Sequence, residues 1–238
     1  MKKLIKMQVR NVFHNKLFYV CLAIALLLSL GVNSLATLLS KDAAATPALE
    51  KVVEQFTSEI DIIGMIFITV FCTFDFTEGT TKNIIARGYT KAQLLFSKYI
   101  ASFIGVLAMI LIISAISFLL YIKNGLGYDS TMPMIILVSL FKIIAYTLFY
   151  ATISFILEKT SSSIIANLFL TNIIMLILGI ADSNLKLDIA KYWIDNVGDK
   201  FATKATLANM PYPIIMYSIY SLIFIGIGIY FAKNKEIK

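Results

Sequence analysis

The sequence predicts an all-α, polytopic membrane protein with six transmembrane helices and an N-terminal interfacial helix. Three observations carry that reading. Of 238 residues, 59% are hydrophobic and 15% charged, against about 45–50% and about 25% in ordinary soluble domains. A soluble chain of this size has no core large enough to hide so much apolar surface. Charge-free runs recur at lengths that suit a bilayer, and Lys and Arg are distributed unequally between alternate loops, the pattern that sets orientation.

The first element is residues 1–16. On a helical wheel Ile5, Val9, Val12 and Phe13 share one arc, and Lys3, Lys6, Arg10 and His14 share the neighbouring one. This suits a helix in the inner membrane interface, with its basic side toward anionic headgroups. A plain basic flank that only sets topology would also contain these residues. A single transmembrane domain, residues 17–232, follows, and 233–238 form a short tail.

Leu17 to Ser40 is a charge-free run of 24 residues, roughly 36 Å as a helix, enough for a hydrocarbon core of about 30 Å. It is too long for the apolar part of a cleaved signal peptide. The second run, Ile60 to Phe76, is shorter, and its uncharged centre from Ile62 to Phe74 is bracketed by Asp61 and Asp75. It spans by borrowing Thr57 and Ser58 or by tilting little. Tyr99–Ile122, Met134–Leu157 (interrupted by Lys142), Thr160–Ala181 and Pro213–Ala232 complete the six. Pro133, Pro211 and Pro213 stand at the starts of the fourth and sixth runs, where a missing N–H costs nothing. Pro47 falls in a loop.

With the N-terminus placed inside, thirteen Lys and Arg lie on the inner side and seven outside, while ten of the fourteen acids lie outside. The net charge of +7 and pI near 9.3 therefore read as topology signals and not as a nucleic-acid footprint. The expected location is the plasma membrane, multi-pass, with both termini cytoplasmic.

The counts also exclude chemistry. Cys21 and Cys72 both sit in apolar runs, no CxxC occurs, and His14 is the single histidine. No catalytic residue and no metal site is expected. The chain has no Gly-Lys dipeptide, so it lacks the phosphate-cradling loop of that class of ATPase.

The most informative segment is the first inner loop, 77–91. Thr77 or Thr80 can cap a short helix, with Glu78 near its positive end. Gly88 after Arg87 reads as a helix stop, and Thr90 can cap the next span. The result is a short helix parallel to the membrane, either a mechanical handle for a soluble partner or an ordinary surface loop.

The pattern Asp75-Phe76-x-x-Gly79-Thr80-x-Lys82-Asn83-x-x-x-x-Gly88-x-x-Lys91, followed by Ser97-Lys98, resembles the first cytoplasmic loop of type-2 ABC exporter permeases. One departure is Lys91, where that family often carries Arg. The resemblance implies that the loop contains the coupling helix. Glu78, Thr80, Lys82, Asn83, Arg87, Gly88 and Lys91 would then meet a separately encoded ABC ATPase subunit. ATP and Mg would bind that partner, and this chain would bind no cofactor and would be no enzyme. A second permease subunit, identical or homologous, would complete the transporter alongside membrane lipids.

The last outer segment, 182–212, is too long for a minimal turn. It holds Trp193 beside Tyr192, a pair suited to the outer interface. The resemblance implies short re-entrant helices that close the exit; a loose extracellular loop is the other reading. Lys142 is the one charge deep in a span and would cost about 2.5–3.5 kcal/mol at the bilayer centre. It faces a substrate path or pairs with a carboxylate, or else it snorkels as a structural lysine. Ser161 to Ser163, Asn167, Thr171 and Asn172 read as helix-packing groups, and Ala101 with Gly105 as a small-xxx-small pair.

The function expected is the permease subunit of an ATP-driven exporter, moving an amphiphilic or antimicrobial peptide, a drug or a lipid-like cargo. The small outer loops favour cargo arriving from the membrane. The alternative is a membrane immunity or sensory protein that binds a peptide or partner without transport. An ion-coupled transporter is disfavoured, because the spans carry neither mid-membrane acids nor broken helices.

Overall fold

The computed structural model describes residues 1–39, 49–123, 132–185, 189–202 and 206–234. Lys41, Pro47, Lys186, Lys204 and the tail charges lie outside them, so that part of the charge distribution does too. The described residues are helical, with no strand among them. In chain order they form α1 (Lys2–His14), α2 (Lys16–Leu39), α3 (Leu49–Thr77), α4 (Thr80–Ala86), α5 (Lys91–Lys123), α6 (Met132–Leu157) and α7 (Thr160–Leu185). A 3₁₀ turn (Ala190–Tyr192), α8 (Ile194–Ala202) and α9 (Pro211–Asn234) follow.

Four helices among the described residues are long and apolar enough to cross a membrane: Lys91–Ala115, Pro133–Leu157, Thr160–Asn184 and Pro211–Asn234. Two further pairs pass the same test together: Lys2–His14 with Lys16–Leu28, bent by 55°, and Ile62–Thr77 with Thr80–Ala86, bent by 68°. The number of candidate spans is thus four to six, compatible with a multi-pass membrane protein.

Two helices begin well before their apolar runs. α3 starts at Leu49 rather than near Ile60, and α5 at Lys91 rather than Tyr99. A helix continues past its apolar stretch as long as its backbone bonds inside itself, whatever the side chains. The proline boundaries hold: Pro133 is the second residue of α6 and Pro211 the first of α9.

α6 is the hub, packing on α3, α5, α7, α8 and α9. Residues 145–152 are buried on every side of it, as a central helix must be. A polar seam from α7 ties α3 and α6 together. Asn167 on α7 donates from Nδ2 to Thr69 Oγ1 (2.8 Å) and Ser154 Oγ (3.2 Å), and Thr73 Oγ1 lies 2.8 Å from Thr160 Oγ1. Asn167 thus packs helices together as expected, whereas Thr171, Asn172 and Ser162 donate to carbonyls three or four residues back. Gly105 lets α5 approach α3 and α1, since a Cβ there would stand 2.7 Å from the Phe67 ring and 3.0 Å from Val12.

By contrast, α7 and α9 keep many apolar side chains exposed, among them Ile165, Leu176, Ile215 and Leu222.

Candidate functional site

Two clusters stand out. The first forms where α1, α3, α4 and α5 meet. The α3–α4 reversal is made by Gly79 (φ 67), which is also the N-cap of α4. Only glycine adopts that conformation without strain. The expected threonine caps are therefore corrected. Thr77 Oγ1 donates back to Phe74 O (2.9 Å), and Thr80 Oγ1 donates to Asp75 O (3.2 Å) and Asp75 Oδ1 (3.0 Å). α4 closes at Arg87, with Gly88 at φ 86 beyond it, the stop expected there. Thr90 and Gln93 form a reciprocal capping box: Thr90 N–H donates to Gln93 Oε1 (3.1 Å) and Gln93 N–H to Thr90 Oγ1 (3.2 Å).

α4 is held down by Thr81 and Ile84, both buried. Glu78, Lys82, Asn83, Arg87 and Gly88 are exposed together along this loop, while Lys91 is half-buried at the head of α5. Thr80 is the exception among the expected docking residues, because its hydroxyl turns in to pin α4 onto Asp75.

Asp75, which brackets the second apolar run, is the centre of a buried knot. Its Oδ2 lies 2.8 Å from Lys98 Nζ and accepts Gln8 Nε2 at 2.8 Å. Lys98 also donates to Phe71 O (2.8 Å) and sits 4.1 Å from the Phe71 ring centroid. Lys98 is 2% exposed, so its charge is compensated inside the protein. One carboxylate therefore ties together α1, α3, α4 and α5. The one signal that could have found it is that Asp75 and Lys98, of opposite sign, each flank an apolar run.

Gln8 also corrects the reading of α1. Its buried stripe is Leu4, Gln8 and Val12, spaced by four residues and packed on α5. Ile5, Val9 and Phe13 lie on the next arc, partly or fully exposed, and Lys3, Lys6, Arg10 and His14 beyond them are exposed. The buried stripe is one step round the helix from the apolar arc because Gln8 is polar yet wholly buried. Asn15 breaks α1 from α2 with extended backbone, and its Oδ1 accepts the Leu17 N–H at 2.9 Å.

The second cluster surrounds Lys142 on α6. The segment after α7 folds back as short helices rather than a loose loop, and Ile194, Val197 and Phe201 are buried. Asp195 reaches the middle of α6, where Tyr146 donates its hydroxyl to Asp195 Oδ1. Trp193 Nε1 donates to Asp195 Oδ2 at 2.9 Å. Tyr220 on α9 donates to Tyr192 O at 2.7 Å. Lys142 Nζ lies 5.6 Å from the centroid of the same Tyr146 ring. Its Cδ would stand 3.8 Å from a Cβ at Gly198, so the side chain faces α8. Lys142 is thus not the sole ionisable group at this level. Asp195 shares Tyr146 with it, and the acid missing from the spans is delivered by α8.

Among the described residues, no group of three or more His, Cys, Asp or Glu side chains could hold a metal ion. Cys21 and Cys72 are buried and free.

A family model described as "Protein of unknown function (DUF2705)" matches residues 52–238, and the chain belongs to that family. No curated protein matches it.

Proposed function

We propose that this DUF2705 member is the membrane-spanning permease subunit of an ATP-driven exporter of the type-2 ABC class. In this reading α2, α3, α5, α6, α7 and α9 are the six spans, and α1 lies in the inner interface of the plasma membrane. Both termini are cytoplasmic, and residues 182–212 re-enter the outer leaflet. Two such subunits pair, the exposed faces of α7 and α9 meeting lipid or the second subunit. A separate ABC ATPase docks on the loop around α4, and the cargo is an amphiphilic peptide, drug or lipid-like molecule.

The observation that carries the reading is the mounting of α4. It is a seven-residue helix between two glycine turns, with Lys82 and Asn83 outward, Glu78 and Arg87 exposed at its two ends, and its Thr80 pinned to Asp75. A push on its outer face reaches α3 directly and α5 and α1 through Lys98 and Gln8. A rigid short helix wired to three longer ones is what transmission of force from a soluble motor requires.

Affinity purification of the full chain from its own cells tests this. The expected result is a stoichiometric nucleotide-binding subunit, lost when Glu78, Lys82 or Arg87 is reversed in charge. These residues are exposed, so reversal leaves the bundle folded. Recovery of the folded chain with no nucleotide-binding subunit overturns the proposal and favours the non-transporting immunity or sensory protein.

A further inference from the structure

A groove of about 390 Å³ opens where α1 bends into α2. One wall is polar, formed by Asn11, His14 and Lys16 at the bend; the other is apolar, formed by Phe71 and Phe74 of α3; and Lys98 lines it too. We infer that this groove binds the headgroup phosphate of an anionic phospholipid, with the lipid's glycerol and upper chain against the phenylalanines.

Charge selects the ligand. Asp75 is the one acid in the lining, and its oxygens are already taken by Lys98, Gln8 and Thr80. Its charge is spent inside the protein. Lys16 is exposed and contributes a positive charge with no acid in the lining left to balance it. Lys98 donates to Asp75 and Phe71 O with its Nζ over the Phe71 ring, so it lines the groove as a cation already balanced by Asp75. Phosphate oxygens are acceptors and match the Lys16 ammonium and the Asn11 amide of the polar wall.

Position selects the lipid over a free anion. Lys16 ends the basic segment and Leu17 begins the apolar run, so the groove lies at the level where headgroups meet hydrocarbon. Phe74, 46% exposed beside it, offers an apolar surface that an inorganic ion would not use. The site rests on the membrane reading of the chain and is independent of any ATPase partner.

The test is reconstitution of the full chain in nanodiscs of phosphatidylcholine doped with phosphatidylglycerol, followed by native mass spectrometry of the lipids it retains. The expected result is one phosphatidylglycerol retained in preference to phosphatidylcholine. Lys16→Gln should weaken that retention about fivefold, the worth of one cation near a membrane surface. Asn11→Asp, at an exposed position on the same wall, should weaken it as well. Lys233→Gln, an exposed cation at the end of α9, should leave it unchanged. Equal retention of both lipids overturns the inference, as does an equal effect of Lys16→Gln and Lys233→Gln, which would mean general surface attraction. Displacement of the lipid by inorganic phosphate would identify a free-anion site instead and also overturns it. Failure of the chain to enter the bilayer would bring down the membrane reading itself.

Discussion

Lys98 Nζ and Asp75 Oδ2 stand 2.8 Å apart, with side chains 2% and 7% exposed. A buried pair of this kind is weak ground for stability while intact, yet removing one partner strands a charge. Lys98→Met should therefore destabilise the protein by about 3–5 kcal/mol, seen as a large fall in the melting temperature in detergent. Adding Asp75→Leu to Lys98→Met should recover much of that loss, since no bare carboxylate is left. Destabilisation that simply adds across the two substitutions would show that the residues do not act as a pair.

A second prediction concerns how closely α5 approaches its neighbours. A Cβ at Gly105 would stand 2.7 Å from Phe67, which is wholly buried. Gly105→Ala should cost about 1–3 kcal/mol through overpacking. Phe67→Leu in the same chain should relieve part of it. The check is a double-mutant cycle on thermal unfolding, and a coupling energy of zero would remove the contact from the account.

Much of the helical plan was open to reading along the chain, because it depends on local patterns. Charge-free runs, Pro133 and Pro211 at helix starts, Gly88 as a stop and Thr90 as a cap all act within a few residues. What escaped reading depends on contacts between distant segments. Gln8 is polar and carries no local sign of burial, and Asp75, 67 residues away, explains it. Asp195 sits in a segment with few signals of its own and gains meaning from Tyr146, 49 residues away. The early start of α3 was hidden because charged residues such as Glu54 and Glu59 fit a helix but not an apolar run.

The turns around α4 yield a third prediction. Gly79 and Gly88 both hold positive φ, 67° and 86°, and a Cβ at either would meet nothing within 4 Å. Substitution by Ala should therefore cost about 1 kcal/mol through backbone strain alone. Gly79→Asn should be milder, because Asn tolerates the left-handed region. If α4 is the handle for an ATPase, Gly79→Ala should also lower capture of that subunit while membrane insertion is retained. Equal melting temperatures for the Ala variants and the native chain would show that the turns are not strained.

Tyr146 supplies the last prediction, because Asp195 and Lys142 both lie against it. Tyr146→Phe deletes the hydroxyl that donates to Asp195 and keeps the ring under Lys142. Loss of a hydrogen bond to a charged group costs about 1.5–3 kcal/mol, and the effect should fall on α8 first. Trp193 is the chain's one tryptophan, and its Nε1 donates to the same carboxylate, so its emission reports that loosening directly. Tyr146→Phe should shift the emission maximum and raise quenching by a water-soluble quencher; identical spectra would show that the bond does not hold α8. Lys142→Met keeps the Tyr146 and Trp193 hydrogen bonds to Asp195 and tests the other group on that ring. If Lys142 serves a cargo path, the same variant should lower cargo-stimulated ATP turnover and export, and unchanged turnover and export would assign it a structural role.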